Sequence, residues 1–181
     1  MGWLRKVMND STWKMVSSLN VQEMDALEIS GNRWHTMDFK SYVSVEYPEI
    51  IIDEAPLDKK FDIILAEQVW EHLKYPRRAV LNCIEMLNEG GYLMITTPFL
   101  VRSHPHPTDC TRWTEEGMRY FLEDAGFELD NIETGSWGNI GVVIANLSQW
   151  TDYDSSHNAL HSLDNDPMFP IVVWALARKT V

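Results

Sequence analysis

Cysteine is nearly absent from this chain. Its 181 residues hold two, Cys83 and Cys110, at a spacing that fits no Cys-x-x-Cys or zinc pattern. That excludes a disulfide framework and suits a reducing compartment. Long apolar runs are also missing. None approaches the roughly 20 residues of a membrane span, and Met1-Gly-Trp-Leu-Arg-Lys6 lacks the apolar region and small-residue cleavage site of a signal peptide. A cytoplasmic protein with no membrane contact is expected. Basic charge is scarce: 15 Lys+Arg stand against 27 Asp+Glu, a net charge of -12. Without a Lys/Arg run such a surface repels polyanions, so double-stranded nucleic acid is not an expected partner. There is no internal repeat and no low-complexity segment.

What is present can fill a core. Hydrophobic residues make up 45% of the chain and tryptophans number eight, which fits one domain over residues 1–181. The tryptophans are expected in core and lid packing, or as aromatic walls for a substrate. Residues 11–20 read as a short helix within an N-terminal extension, residues 1–23. Ala26–Ile29 reads as a short strand ending at the turn Ser30-Gly31-Asn32. Tyr42–Glu46 alternates, is rich in β-branched residues and is stopped by Pro48, so it reads as a second strand. Ile50–Ile52 reads as a third, at the edge. Phe61–Ala66, apolar apart from Asp62, is a fourth with both faces covered.

Pro76–Leu87 carries apolar residues at steps of three and four, a helix that Glu89-Gly90-Gly91 should end in the left-handed region. Tyr92–Thr97 is the fifth strand. A polar loop, 99–113, precedes a helix opened by the N-cap Thr114, with acids in its first turn and Met118, Phe121, Leu122 and Ala125 buried. Gly126 should close it. Residues 136–166 read as an insertion or lid before a last strand, Pro170–Arg178. Strands alternating with helices predict an α/β fold. About a dozen residues link the first two strands, near the minimum for a parallel crossover, so the first helix must be a single turn or absent.

Phe61-Asp-Ile-Ile-Leu-Ala-Glu-Gln-Val-Trp-Glu-His-Leu73, Leu87-Asn-Glu-Gly-Gly-Tyr-Leu-Met-Ile-Thr-Thr-Pro98 and Thr111–Phe127 together resemble a class I S-adenosylmethionine-dependent methyltransferase of small-molecule type, over roughly residues 24–178. Phe169–Arg178 looks like the ending of a subgroup often found near sugar and secondary-metabolite genes. The resemblance implies a Rossmann-like, mostly parallel sheet with helices on both faces and an antiparallel last strand. It also implies S-adenosyl-L-methionine as cofactor and methyl transfer to an oxygen or nitrogen of a small molecule. The first turn departs from the family pattern. Where the family shows an acid and then Gly-x-Gly-x-Gly, this chain has Glu28-Ile-Ser-Gly-Asn-Arg-Trp34, with one glycine. Ser30 and Asn32 are expected to substitute in part, Asn because it tolerates left-handed geometry.

Carried over residue by residue, the resemblance makes Glu46 the ribose acid, with a solvated strand-end acid as the alternative, and places Tyr47 and Pro48 beside the adenine. Asp53 would reach the adenine amino group. Ser30 and Gly31 would lie near the methionine part, with Glu28 anchoring that turn or meeting the cofactor's amino group. Glu67, Gln68 and Val69 would contact the cofactor, Glu67 alternatively serving a helix N-terminus.

Three histidines are candidate bases for removing the acceptor's proton: His72, His104 and His106. His72 alternatively packs under the cofactor and bonds to backbone. His104, His106 and Asp109 could be read as metal ligands, but the prolines between them stiffen the loop without aiming the side chains together, and no metal is expected. Arg112 and Trp113, with Asp109, would hold the substrate, unless Arg112 simply pairs with Asp109. The chain leaves little room for a separate substrate domain. Acceptor recognition is therefore expected from 99–113 and 136–166, or from a second subunit in a homodimer. The rival reading is a catalytically silent relative that binds a nucleoside or a partner, or a lyase or hydrolase using the same cofactor.

Overall fold

A computed structural model describes residues 2–157 and 161–180. Residue 1 of the expected extension, residues 158–160 of the expected lid and residue 181 lie outside the described residues. Helix α1 (Trp3–Ser17) buries Leu4, Met8, Thr12 and Val16 at four-residue intervals. It starts well before the expected 11–20. Thr12 disguises the stripe in the sequence, because its polar side chain is buried only by donating its hydroxyl back to the Met8 carbonyl at 2.9 Å.

The strands are β1 (Asp25–Ile29), β2 (Ser41–Val45), β3 (Phe61–Glu67), β4 (Leu87–Pro98), β5 (Ile132–Trp137) and β6 (Val172–Arg178). They form one six-stranded sheet in the order β2-β1-β3-β4-β6-β5. The first four are mutually parallel, and β6 runs antiparallel between β4 and β5. Helices α2 (Pro76–Met86) and α3 (Glu115–Ala125) cover one face through Ala79, Val80, Cys83, Met118 and Leu122, packed on Leu27, Ile64, Leu93 and Ala175. Helix α1 and Trp34 cover the other, against Ala26, Ile63, Leu65, Met94 and Leu176. The first crossover holds only a 3-10 turn, Arg33–Thr36, as its length requires.

Thr114 caps α3, accepting from the Gly117 amide at 3.0 Å, and Gly126 closes it at φ 119°. Two expectations are corrected. Ile50–Ile52 is not a strand: the Ile50 amide turns back to the Glu46 carbonyl at 3.0 Å and Glu54 to Ile51 at 2.9 Å, so the triplet folds as consecutive turns and β2 is the sheet edge. Nor does Gly90 end the preceding helix. Leu87 already pairs with Phe61 in the sheet, and Gly90, at φ 76°, sits in an irregular stretch of β4. Between β5 and β6 lie a short helix, α4 (Ile140–Ala145), capped by Asn139, and a 3-10 turn, Ser155–His157. The start of α1 packs on this segment, Trp3 donating to the Thr151 carbonyl at 2.8 Å.

Candidate active site

Parallel register brings three strand ends to one level. Ile29 pairs with Val45 on one side and with Ala66 on the other. Ser30, Glu46 and Gln68 therefore leave the sheet together, at the carboxyl edge where open α/β sheets hold ligands. A cavity of about 680 Å3 opens there. Ser30 (φ 55°) and Gln68 (φ 57°) both take left-handed backbone without being glycine, at a cost of roughly 1–3 kcal/mol each. The sheet holds them: the Ser30 amide donates to Val45 at 2.8 Å and the Gln68 amide to Thr96 at 2.9 Å. The left-handed residue of the first turn is thus Ser30, while Asn32 stays at φ -143°.

Glu28 closes this turn from below. Its buried carboxylate accepts the amides of Arg33 (3.0 Å) and Trp34 (2.9 Å) and the Tyr42 hydroxyl (2.5 Å). Burial and that acid push the Tyr42 phenol up. A Cβ on Gly31 would lie 2.5 Å from Glu28 Oε1, so a side chain at the single retained glycine would displace the carboxylate that holds the turn. Glu28 and Gly31 form the turn rather than the cavity wall, and Glu28 fills the anchoring role.

Of the expected site residues, Ser30, Glu46, Tyr47, Asp53, Gln68, Val69, His72 and His106 line the cavity. Asp53 is nearly buried and also accepts the Tyr75 amide at 3.1 Å. Pro48 and Glu67 do not line it. Glu67 is buried and paired with Arg33, with Arg5 at 3.8 Å. Burial pushes this carboxyl up and Arg33 opposes the shift. The Arg33 guanidinium also reaches the Asn9 carbonyl at 2.9 Å and lies over the Trp34 ring, tying the turn to α1.

His104, Asp109, Arg112 and Trp113 likewise stand off the wall. Asp109 and Arg112 form a bidentate pair that holds the Asp109 carboxyl at about 2. Trp113 is buried in the core against Phe121, so it offers no face to a ligand. His104 meets His72 edge-on at 5.1 Å and Trp150 at 5.5 Å, and burial keeps its imidazole below the usual range. Among the described residues no group of His, Cys, Asp and Glu is placed to hold a metal ion.

Sequence reasoning missed several wall residues: Ile50, Ile51 and Ile52, then Lys74 and Tyr75 just before α2 and Arg78 in its first turn, and Pro107 with Thr108. Three consecutive isoleucines between Pro48 and Pro56 were the available signal, an apolar patch too short and too bracketed for a strand. The wall that results has an apolar floor. Glu46, Asp53, Glu54, Lys74 and Arg78 add charge to it, a set able to meet a flat apolar ring, hydroxyl groups and a positive charge.

A family model described as a methyltransferase domain matches residues 2–132. The mitochondrial ubiquinone biosynthesis O-methyltransferase of Candida albicans is 37% identical over 46 residues, 25% of this chain and 14% of that protein. The aligned segments span 14% to 40% of the curated relatives' lengths. An S-adenosylmethionine-dependent methyltransferase of Archaeoglobus fulgidus superposes with a TM-score of 0.61 at 14% identity, covering 97% of this chain and 94% of the other. Phosphoethanolamine N-methyltransferase 2 of Haemonchus contortus, in complex with S-adenosyl-L-methionine, superposes with a TM-score of 0.60 at 11% identity, over 95% of this chain and 53% of that one. At such identities these likenesses speak to the fold.

Proposed function

This chain belongs to the methyltransferase-domain family, and from that premise we propose that it transfers a methyl group from S-adenosylmethionine to an oxygen or nitrogen of a small molecule. One observation carries the reading. The Ser30 turn, the strand-end acid Glu46 and an apolar floor from Ile50–Ile52 and Val69 converge on one cavity at the carboxyl ends of parallel strands. The cavity is of ordinary ligand size, and the residues fit the cofactor's parts. Glu46 would accept the ribose hydroxyls, the isoleucines and Val69 would enclose the adenine, and the wall's acids would favour a cationic ligand. S-adenosylmethionine, when bound, supplies the electrophilic methyl group. The chain's part is mostly orientation and exclusion of water. His106, on the wall, would take the acceptor's proton.

The relatives' acceptors, by their names, span oxygen and nitrogen, so sugar- and secondary-metabolite-like hydroxyl and amine compounds form the first screen. A homodimer would be one way to complete the acceptor side. The two unpaired thiols, Cys83 and Cys110, suit the cytoplasm. A silent relative is the second reading, favoured by the single-glycine turn and by Glu28 and Glu67 being committed internally. Calorimetry with S-adenosylhomocysteine, followed by methyl transfer to the screened acceptors, separates the two. Binding with transfer supports the enzyme, binding without transfer the silent relative, and no binding at millimolar ligand removes the cofactor assignment.

A further inference from the structure

Glu71 is fully buried, and neither carboxyl oxygen has a hydrogen-bond partner. It stands in the 3-10 turn Trp70–His72 that follows β3, against the wall of the cavity just described. Its nearest ionisable contact is the next residue, with His72 Nε2 lying 3.6 Å from Oε1, a small rotation from hydrogen-bond length. The other ring nitrogen, Nδ1, is bonded to the Thr108 carbonyl. A carbonyl only accepts, so Nδ1 carries a proton, and Nε2 is the nitrogen turned toward Glu71.

A buried carboxylate with no donor is costly, and a protonated one needs an acceptor for its O–H. The two needs are complementary. Burial raises the Glu71 carboxyl to about 8, in keeping with that. The charged groups facing it are Arg112 and Asp109 of the loop, which neutralise each other, and Arg5 of α1. Arg112 and Arg5 oppose the shift without reversing it. His104 meets the pair edge-on at the His72 ring, and its amide donates to Asp109 at 2.8 Å.

We propose that Glu71 is a positioning residue: its carboxyl proton is donated to His72 Nε2, fixing the imidazole in the Nδ1–H tautomer that grips Thr108 and holds loop 104–111 across the cavity. Three further bonds close the same clasp. Thr108 Oγ1 donates to the His72 carbonyl, and the amides of Cys110 (2.7 Å) and Thr111 (3.3 Å) donate to the Glu71 carbonyl. His106, Pro107 and Thr108 form part of the cavity wall, so the clasp sets its shape. On this account His72 is not a free base. Its place in catalysis rests on the methyltransferase reading, but the clasp itself does not.

Nitrogen-15 NMR of histidine-labelled full chain at pH 7 tests it without cofactor. His72 is expected as the neutral Nδ1–H tautomer in the wild type and in Glu71→Gln, whose amide can still donate to Nε2. In Glu71→Leu the tautomer should be lost, and cleavage within 104–111 in limited proteolysis should rise about tenfold. Should Glu71→Leu fail to fold, the wild-type and Glu71→Gln spectra still decide. An imidazolium or Nε2–H tautomer in the wild type would overturn the proposal. So would an unchanged tautomer and cleavage rate in Glu71→Leu, or stoichiometric shifts of His72 and His104 on adding zinc or magnesium. The expected tautomer in a protein that binds no S-adenosylhomocysteine would sink the functional reading and leave the clasp standing.

Discussion

Glu28 and Glu46 are both strand-end acids of parallel neighbours, yet their surroundings give them opposite tasks. Glu28 is buried under three donors and builds the turn; Glu46 is solvent-facing on the cavity rim. Gly31→Ala should therefore act on stability. Its methyl would displace Glu28 Oε1, and losing charge-assisted bonds should lower stability in urea titration by about 1–3 kcal/mol. Glu46→Ala should act on binding, weakening S-adenosylhomocysteine by about 1–3 kcal/mol in calorimetry with the melting temperature unchanged. Unaltered affinity in the folded variant would take Glu46 out of the site.

Elements place the remaining chemistry. Loop 99–113 was expected to present two histidines alike, but its pinning by Glu71 and His72 brings His106 to the cavity wall and turns His104 back against His72 and Trp150. Once an acceptor is known, His106→Ala should lower turnover about 10²–10⁴-fold if it is the base, with His104→Ala affecting it far less. Equal wild-type turnover in both variants would show that neither histidine carries the chemistry. The loop leads into α3, whose cap is a separate device. Thr114→Ala should cost about 1 kcal/mol in thermal or urea unfolding, and an unchanged midpoint would mean that Glu115, held by the Thr134 and Ser136 hydroxyls, fixes the helix start alone.

For the whole molecule, proton linkage through Glu71 has a definite sign. The carboxyl titrates near 4.5 when unfolded and is raised to about 8 when folded, so between those values the native state binds more protons. Stability should fall as pH rises across that window and level off above it. Asp109 works in the opposite sense at low pH. Held at about 2 by Arg112 against an ordinary 3.8, it contributes stability above the unfolded value that is lost as pH falls through 2. Urea midpoints measured from pH 5 to 8 should drop for the wild type and much less for Glu71→Gln. Parallel curves would mean that Glu71 is ionised in the native state.

Local pattern was enough for much of this architecture. Apolar runs, the proline at the start of α2, the Thr114 cap and the Gly126 terminus are written in neighbouring residues, because burial period and backbone preference act over a few positions. The alternation of strands and helices, the shortened first crossover and the family resemblance followed from the same order. Which side chains share a cavity was not local. Parallel register decided that Ser30, Glu46 and Gln68 emerge together. Turn formation moved Ile50–Ile52 from a sheet edge to a cavity floor, and the 3-10 turn after β3 committed Glu71 and His72 to loop 104–111. An acid, a histidine or an arginine looks the same in sequence whether its partner is a ligand or another residue. Only the tertiary structure, by burying Glu28, Glu67 and Glu71 and pairing Asp109 with Arg112, decided which polar groups were already satisfied and which were left to meet a ligand.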